Sequence, residues 1–319
     1  MKNVLIYRTD RIGDFLVCSS IYSSIKRNHN NCKIDIVCSN LNYKYIKSFD
    51  IFDNVFLFPK KFLNKINFFF SLKKYDHILV LDGKKRSIYM SILKKTNKKI
   101  LFTPSTFIKK CFCLFFDKSY LIDYKIPKIE LIIKCLNELN CNFIDEDLNF
   151  LIKHENINSL SNKNKYSNYI VLNFDEKWLQ NNYINSYENI EPTLDQLSNF
   201  LKIISKKKQV VITNGFVKNH LIDKLSNTNY KNLFGRVFIE DKIDIYQLQL
   251  LIKNSDFFIS CHGGPTHMAA SYNINLIDII DLSEKEFFES YNHHIKNKTQ
   301  LFRQNFISLS KKILKIIEQ

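Results

Sequence analysis

Short apolar runs alternate with longer amphipathic stretches along the first half of the chain. The apolar runs are rich in Val, Ile and Leu and have the length of buried strands. They predict strands at Val4–Tyr7, Ile34–Ser39, Val55–Phe58, His77–Leu81 and Ile100–Leu101. The stretches between them predict helices over Phe15–Arg27, from Arg86 onward and over Pro127–Leu139. Strands separated by helical segments indicate parallel βαβ units, and hence an α/β domain.

The same alternation restarts after a polar stretch, residues 153–168, which marks the predicted domain boundary. Strands are predicted at Tyr169–Leu172, Gln209–Thr213, Phe257–Ser260 and Leu276–Ile280. Helices are predicted over Thr193–Ser205, Val217–Leu225, Ile245–Ile252, Thr266–Tyr272 and Phe306–Ile317. The pattern therefore predicts two doubly wound α/β domains, residues 1–160 and 161–319, with the last helix free to pack back on the first domain.

The 319-residue chain has a formal net charge of +16, of which +12 falls in residues 1–160. This favours an acidic partner, such as a phosphorylated glycan, a nucleic acid or an anionic membrane, although general lysine enrichment explains the charge equally well. The eight cysteines show no CxxC spacing, and most lie in apolar runs, as buried thiols of a reducing compartment do. With no signal-peptide pattern and no apolar run of about 18 residues, we expect a cytoplasmic protein.

Glycine is scarce, and most of the six glycines follow a predicted strand and precede a helix. These positions are Gly13, Gly83, Gly215 and the pair Gly263-Gly264. In α/β proteins, ligands bind at the carboxyl ends of the parallel strands, where glycine lets the backbone approach a ligand closely. The glycines therefore indicate candidate sites after the first and fourth predicted strands of the first domain and after the second and third of the second domain.

The loop after the first strand, residues 8–14 (RTDRIGD), carries the first candidate chemistry. It has a single glycine, so it matches neither the dinucleotide-binding fingerprint nor the P-loop. Its carboxylate, Asp14, stands near the start of a predicted helix. There it is either a helix cap or a general base that faces a ligand cleft.

A second candidate site lies at residues 259–270 (ISCHGGPTHMAA), where a strand is followed by two glycines and Pro265. Proline is favoured in the first turn of a helix, and the exposed N–H groups of such a helix start bind phosphate well. His262 and His267 are placed to add hydrogen-bond donors. No HExxH arrangement or nearby carboxylate supports a zinc site, so a phosphate-binding turn is the better interpretation.

Taken together, these motifs resemble glycosyltransferase family 9, which includes the ADP-heptose:lipopolysaccharide heptosyltransferases. The similarity begins with Arg8-x-x-Arg11-Ile12-Gly13-Asp14 after the first strand. It continues in Tyr75–Ser87, in the segment Asn173–Trp178 and in Gly264-Pro265-Thr266-His267-Met268-Ala269-Ala270. The resemblance spans nearly the whole chain and implies the GT-B fold, in which two Rossmann-like domains enclose the active site in an interdomain cleft.

The resemblance also implies roles for individual residues in an inverting, metal-independent transfer without a cofactor. Asp14 is expected to be the catalytic base that deprotonates the acceptor hydroxyl, with Arg11 and Gly13 on the acceptor side. The expected acceptor is an acidic or lipid-linked glycan such as the lipopolysaccharide core. A nucleotide-sugar donor such as ADP-heptose is expected to bind at Asn173, Lys177, Asn214, Gly215, His262, Gly263, Gly264, Thr266 and His267.

Three departures from the family pattern leave the donor and the reaction open. His262-Gly263 replaces an Asp-(Ser/Thr) pair, no acid follows Gly215 until Asp223, and Lys177-Trp178 lacks the usual proline. One alternative is a nucleotide-sugar isomerase or epimerase, because such enzymes use similar domain pairs. Another alternative is a protein that binds a sugar nucleotide but has lost turnover.

Two segments interleave phenylalanine with lysine, namely Phe62–Lys74 and Phe107–Phe116. Such segments suit peripheral contact with the cytoplasmic face of the inner membrane, with phenylalanine in the interface and lysine among anionic headgroups. Alternatively, these aromatic residues are part of the core of a phenylalanine-rich chain. Nucleic acid is not expected as a partner, because RNA-binding and zinc motifs are missing and arginine is scarce.

Overall fold

The structure is a computed structural model, and it describes residues 1–154, 166–179, 185–215, 217, 219–227 and 236–319. The chain divides into two compact units. The first comprises Met1–Asn156 together with Glu289–His293, and the second comprises Ile157–Phe288 together with His294–Gln319. The division falls within the polar stretch 153–168 of the sequence, of which residues 155–165 lie outside the described residues.

The first unit is built on a six-stranded sheet in which every neighbouring pair is parallel. Its strands are β1 (Asn3–Arg8), β2 (Lys33–Cys38), β3 (Asn54–Leu57), β4 (His77–Val80), β5 (Lys98–Thr103) and β6 (Lys118–Leu121). They lie in the order β3-β2-β1-β4-β5-β6. The helices are α1 (Ile12–Val17), α2 (Ser19–Asn28), α3 (Tyr43–Ile46), α4 (Phe62–Ser71), α5 (Lys85–Ile92), α6 (Thr106–Phe112), α7 (Lys128–Glu138) and α8 (Phe150–His154).

The second unit repeats this plan with a second six-stranded parallel sheet. Its strands are β7 (Tyr169–Asn173), β8 (Gln209–Thr213), β9 (Val237–Glu240), β10 (Phe257–Cys261), β11 (Asn275–Ile280) and β12 (Lys298–Phe302), in the order β12-β11-β10-β7-β8-β9. The helices are α9 (Leu194–Ser205), α10 (His220–Asn227), α11 (Ile245–Lys253), α12 (Gly264–Ser271), α13 (Lys285–Ser290) and α14 (Phe306–Ile317).

The central strands form because their residues are apolar on both faces. Val4–Tyr7 of β1 and Ile170–Leu172 of β7 are at most 1% exposed, as expected of parallel strands that are covered by helices on both sides. The predicted helix Phe15–Arg27 is divided at Cys18, which separates α1 from α2 and has a non-helical ψ of 8°. Helix α1 also begins earlier than predicted, so Gly13 and Asp14 lie inside its first turn.

The sequence left open whether the last helix, α14, packs on the first domain. In the structure it packs within the second unit, where its apolar side chains enter the same core as those of α9. The buried side chains of α14 in that core are Phe306, Leu309, Ile313 and Ile317. The predicted helix Val217–Leu225 begins at His220 in the described residues, and residues 216 and 218 lie outside them.

Candidate functional site

The candidate residues follow the strands at which the order of each sheet reverses. In the first unit, β1 and β4 are neighbours from which the remaining strands run in opposite directions, and β7 and β10 have the same positions in the second. Such switch points leave a crevice at the carboxyl ends of the strands. The loops after β1 and β4 and the loops after β7 and β10 contain most of the residues that the sequence analysis selected.

Asp14 is the third residue of α1, and its side chain is 37% exposed. One carboxylate oxygen, Oδ2, accepts a hydrogen bond of 3.3 Å from the backbone N–H of Arg11, the residue that caps the helix. The other, Oδ1, lies 3.9 Å from Nη2 of Arg8. Asp14 therefore does serve as a cap, and the same carboxylate also reaches solvent beside a buried guanidinium.

Arg8 is the buried centre of this loop, with 2% of its surface exposed. Its guanidinium donates to the carbonyl groups of Leu81 and Asp14 and lies 3.2 Å from the carboxylate of Asp10. Asp10 was not among the residues expected at the site from the sequence. Burial raises the pKa of Asp10 to about 7, although Arg8 favours its charged form. A carboxyl group that titrates near neutral pH is thus close to Asp14.

The loop after β4 is tied to the loop after β1 by Asp82. This buried carboxylate accepts hydrogen bonds from the N–H and hydroxyl of Thr9, from the hydroxyl of Ser87 and from the N–H of Lys84. Gly83 follows with φ of +58°, and a Cβ there would lie 2.8 Å from the carbonyl oxygen of Phe102. Glycine is therefore required at this turn by both conformation and space.

In the second unit, the turn before α12 is closed by its own hydrogen bonds. Thr266 Oγ1 accepts from the N–H of Gly263 at 3.2 Å and donates to the carbonyl of Gly263. The N–H of Thr266 donates to that same carbonyl at 3.1 Å. Of the residues expected to hold a diphosphate here, Gly263 and Thr266 thus use their N–H groups inside the turn. Gly264 supplies the N–H that the turn itself does not use.

Lys177 supports this turn through its ammonium group. Its Nζ atom donates to the carbonyl oxygen of His262 at 3.0 Å and pairs with Asp175 at 3.0 Å. A Cβ on Gly263 would lie 2.5 Å from this Nζ atom. The ammonium therefore occupies the space that glycine leaves open, and Lys177 positions the backbone of residues 262 and 263.

His262 is buried and paired with a carboxylate on the neighbouring strand. Its Nδ1 atom lies 2.8 Å from Asp278 Oδ2, and the side chains are 5% and 0% exposed. The His262 ring packs at 5.1 Å from that of His267, whose Nδ1 atom is 3.2 Å from Nε2 of His294. Asp278 therefore places a carboxylate directly against the His262 ring, on the strand next to the one that leads into this turn.

Asn173, which was expected in the donor site, is buried and hydrogen-bonded to its neighbours. It is 2% exposed. Its amide nitrogen donates to Ser260 and Asp175, and its amide oxygen accepts from Thr213. It thereby joins β7, β8 and β10.

Gly215 and Asn214 are half-buried and lie next to Glu176, which the sequence analysis did not select. A Cβ on Gly215 would clash with the carboxylate of Glu176. The Oε2 atom of Glu176 is buried without a hydrogen-bond partner in the part of the chain described. A carboxylate from the loop after β7 therefore lies directly beside Gly215.

The phenylalanine-lysine segments form exposed helices of the first unit. Helices α4 and α6 contain no buried residue. Phe68, Phe69, Ile108 and Phe112 pack partly against the core. The outward residues are Phe62, Leu63, Phe70, Phe107 and Leu114, which are 71–91% exposed. Helix α5 contacts the second segment through Tyr89 and Phe112, whose rings are 5.8 Å apart. Lys94, just beyond the end of α5, lies with its ammonium 4.3 Å from the ring of Phe69 in the first segment. We call this surface the aromatic face.

Within the described ranges, no group of three or more His, Cys, Asp or Glu side chains is arranged to hold a metal ion. None of the helices in those ranges is both long and apolar enough to cross a bilayer.

No protein-family model and no curated protein matches the chain. Among solved structures, E. coli heptosyltransferase WaaC with ADP is similar over 99% of both chains, with a TM-score of 0.73 and 13% identity. A glycosyl transferase family 9 protein from Veillonella parvula has a TM-score of 0.68 and 12% identity over 100% of this chain and 89% of its own. UDP-GlcNAc 2-epimerase from Methanocaldococcus jannaschii has a TM-score of 0.56 and 13% identity over 100% and 92%. These likenesses confirm that the chain has the two-domain GT-B fold predicted from its sequence.

Proposed function

We propose that the chain is a glycosyltransferase that moves a sugar from a nucleotide-diphosphate donor to a glycan acceptor, with inversion and without a metal ion. The observation that carries the proposal is the pairing of two sites on this fold. The first unit presents the solvent-accessible carboxylate of Asp14. The second presents a glycine turn at the start of α12, supported by the Lys177 ammonium. Each lies at the switch point of its sheet, where α/β proteins bind ligands.

The second unit is assigned to the donor. The N–H of Gly264 and the start of α12 favour an anion, because helix N-termini carry a partial positive charge. His267 lies next to this turn, and Lys177 keeps the turn in place. The unpartnered Oε2 atom of Glu176 is suited to accept a hydrogen bond from a sugar or ribose hydroxyl. A donor of the ADP-heptose type has both groups, a diphosphate and several hydroxyls.

The first unit is assigned to the acceptor and the chemical step. Asp14 takes the proton of the acceptor hydroxyl, whose oxygen attacks the anomeric carbon while the bond from that carbon to the diphosphate oxygen breaks. Attack from the opposite side inverts the configuration. A positioned base of this kind accelerates proton transfer by about 10²–10⁴-fold. Backbone N–H groups and nearby cations stabilise the departing diphosphate.

Turnover measurements with and without acceptor test this proposal. A transferase releases nucleoside diphosphate from the donor only when an acceptor glycan is present, apart from slow hydrolysis. An epimerase, the alternative suggested by the less similar structure, converts the donor without an acceptor. We expect release that depends on the acceptor and persists in EDTA. Conversion of donor alone, or a strict requirement for Mg²⁺ or Mn²⁺, would contradict the proposal.

The aromatic face is proposed to bind the anionic surface of the inner membrane from its cytoplasmic side, which suits a lipid-linked acceptor. Residues 59–75 and 83–116 contain five and nine Lys or Arg and no Asp or Glu. Exposed phenylalanines between these cations match an interface of acyl chains and acidic headgroups.

Vesicle sedimentation tests this contact. The protein is expected to bind vesicles that contain phosphatidylglycerol, but not vesicles of phosphatidylcholine alone, and to be released by salt. Replacing Phe62, Phe70 and Phe107 with Ser should abolish binding. The matched control replaces Ile203, Leu282 and Ile307, which are 46–65% exposed on the second unit. Equal binding by both triple variants would exclude the aromatic face as the contact surface.

A further inference from the structure

Lys128 is a buried cation without an anionic partner. It is the first residue of α7, and 2% of its surface is exposed. Its ammonium lies 5.0 Å from the ring centre of Phe102 and 5.6 Å from that of Tyr291, a residue of the 289–293 segment that belongs to the first unit. Among the residues that the structure describes, no carboxylate forms an ion pair with this ammonium and no oxygen accepts a hydrogen bond from it.

Several physical effects oppose a positive charge at this position. Burial is the largest, and it lowers the pKa of Lys128 to about 8. The nearby Arg8 guanidinium acts in the same direction, as does the partial positive charge at the N-terminus of an 11-residue helix. Contacts with two aromatic rings compensate only part of the lost hydration. Buried charges in proteins are normally compensated by a nearby group of opposite charge.

The position of Lys128 suggests what that partner is. Helix α7 begins at the carboxyl edge of the first sheet, the edge at which Asp14 ends the loop after β1. Cys18, Asp14 and Asp10 favour the charged form of Lys128, whereas Arg8 opposes it. Lys128 in turn acts on the thiol of Cys135 and on His293. The ammonium is not among the unpartnered polar atoms that are sealed from solvent. A small part of the ammonium surface is therefore in contact with solvent.

We propose that Lys128 binds a carboxylate or phosphate group of the acceptor, and so orients the acceptor hydroxyl toward Asp14. This inference rests on the proposed function and makes it narrower: the acceptor is an acidic sugar, and the anionic group lies close to the hydroxyl that reacts. Lys128 is then a specificity-determining residue of the acceptor site. Its contacts with the rings of Phe102 and Tyr291 fix the position of the ammonium before the anion binds.

Titration calorimetry with small sugars tests the proposal. The probes are glucuronate, glucose 6-phosphate and, as the neutral control, glucose. The wild-type protein should bind at least one of the two acids and bind glucose much more weakly. Lys128→Met should weaken acid binding by about 10- to 100-fold, the usual effect of losing one charge-assisted contact. Lys128→Arg should keep most of the affinity. Affinity for the acid should also fall as pH rises above about 8, where Lys128 loses its proton.

Lys134→Met, an exposed position on the same helix, is the matched control and should bind like the wild type. A nucleoside-diphosphate thermal shift in each variant shows that the fold and the second unit are intact. Unchanged acid binding in Lys128→Met, equal binding of glucose, or no binding of either acid by the wild type would each overturn the proposal. Acid binding that depends on Lys128 in a protein without transferase activity would instead overturn the proposed function alone.

Discussion

The two sheets have the same strand order, yet different sets of side chains lie at their carboxyl edges. The first edge holds charged side chains close together, including Arg8, Asp10, Asp14 and Lys128, and one of these lacks a partner of opposite charge. At the second edge Lys177 pairs with Asp175 and His262 pairs with Asp278, while Oε2 of Glu176 has no hydrogen-bond partner among the described residues. Under the proposed function, the same topology supports a reactive edge in the first unit and a preorganised edge in the second.

This difference indicates how the work is divided. Groups that move a proton need incomplete pairing, so that their charge is available and their pKa is close to neutral. Burial moves the pKa of Asp10 in this direction, to about 7. A site that holds a diphosphate instead needs fixed N–H groups, which the matched pairs of the second edge maintain. Substitutions should accordingly affect turnover at the first edge and stability or nucleotide affinity at the second.

The largest effect is expected for Asp14→Asn. The amide oxygen still accepts from the N–H of Arg11, so the cap and the stability of the fold should be kept. The base is lost, and kcat should fall by about 10²–10⁴-fold with little change in nucleotide affinity. Glu130→Gln is the control, since Glu130 is an exposed acid in the first turn of α7. Normal turnover in Asp14→Asn would show that Asp14 is only a cap.

The pair at the second edge is tested by His262→Asp. This change places a second carboxylate against Asp278, which is fully buried. Breaking a buried pair typically costs about 3–5 kcal/mol in unfolding free energy, and we expect a loss of that size. Adding Asp278→Asn should recover most of it. His220→Asp, at an exposed position beside Glu191, should cost less than about 1 kcal/mol. If the double variant did not regain stability, repulsion by Asp278 would not be the cause of the loss in His262→Asp.

The sequence predicts the interior of both sheets better than their edges. The central strands are mostly apolar, and all of them were predicted. The three strands that were missed, β6, β9 and β12, are edge strands with half-exposed residues. In β6 and β12, lysine stands at the first position, where an apolar pattern gives no signal. The position of an edge strand depends on its neighbour in the sheet, which local periodicity does not contain.

For the site, motifs predicted which loops matter but not which side chains meet. Asp278 lies against His262 and Glu176 lies beside Gly215, and each comes from a different strand or loop than the motif residue it contacts. Lys128 is one of many lysines in the sequence, and only its burial distinguishes it. Such partners depend on contacts between distant segments, so spacing along the chain cannot reveal them.

The pH dependence of the free energy of unfolding tests the burial of His293 in the first unit. Burial and Lys128 lower the pKa of His293 from 6.5 to about 4. Between these values the unfolded state binds a proton that the folded state does not, so the free energy of unfolding falls as pH falls from 6.5 to 4. His293→Gln should flatten this decline by up to about 3 kcal/mol, as measured by urea unfolding. His220→Gln, at an exposed site, should leave it unchanged. An identical slope in both variants would assign the decline to other groups.

The smallest effects should come from alanine at the glycine of each edge, and they should differ in kind. Gly83 has φ of +58°, and an added Cβ meets the backbone oxygen of Phe102 at 2.8 Å. Neither the backbone conformation of residue 83 nor the position of this oxygen can adjust, so Gly83→Ala should lower the free energy of unfolding by about 2 kcal/mol. At Gly263 the added Cβ meets only the end of the Lys177 side chain, which can move. Gly263→Ala should therefore cost less than about 1 kcal/mol.

The displacement of Lys177 should appear in nucleotide affinity instead. Moving its ammonium away from the carbonyl of His262 loosens the turn before α12, so Gly263→Ala should bind nucleoside diphosphate several-fold more weakly. In a Lys177→Met background, the clash with the ammonium is already absent, and Gly263→Ala should then have little further effect on affinity. Calorimetry on the two single variants and the double variant measures this coupling. Fully additive losses would mean that Gly263 and Lys177 act on the donor independently, and that the second edge is not the preorganised unit described above.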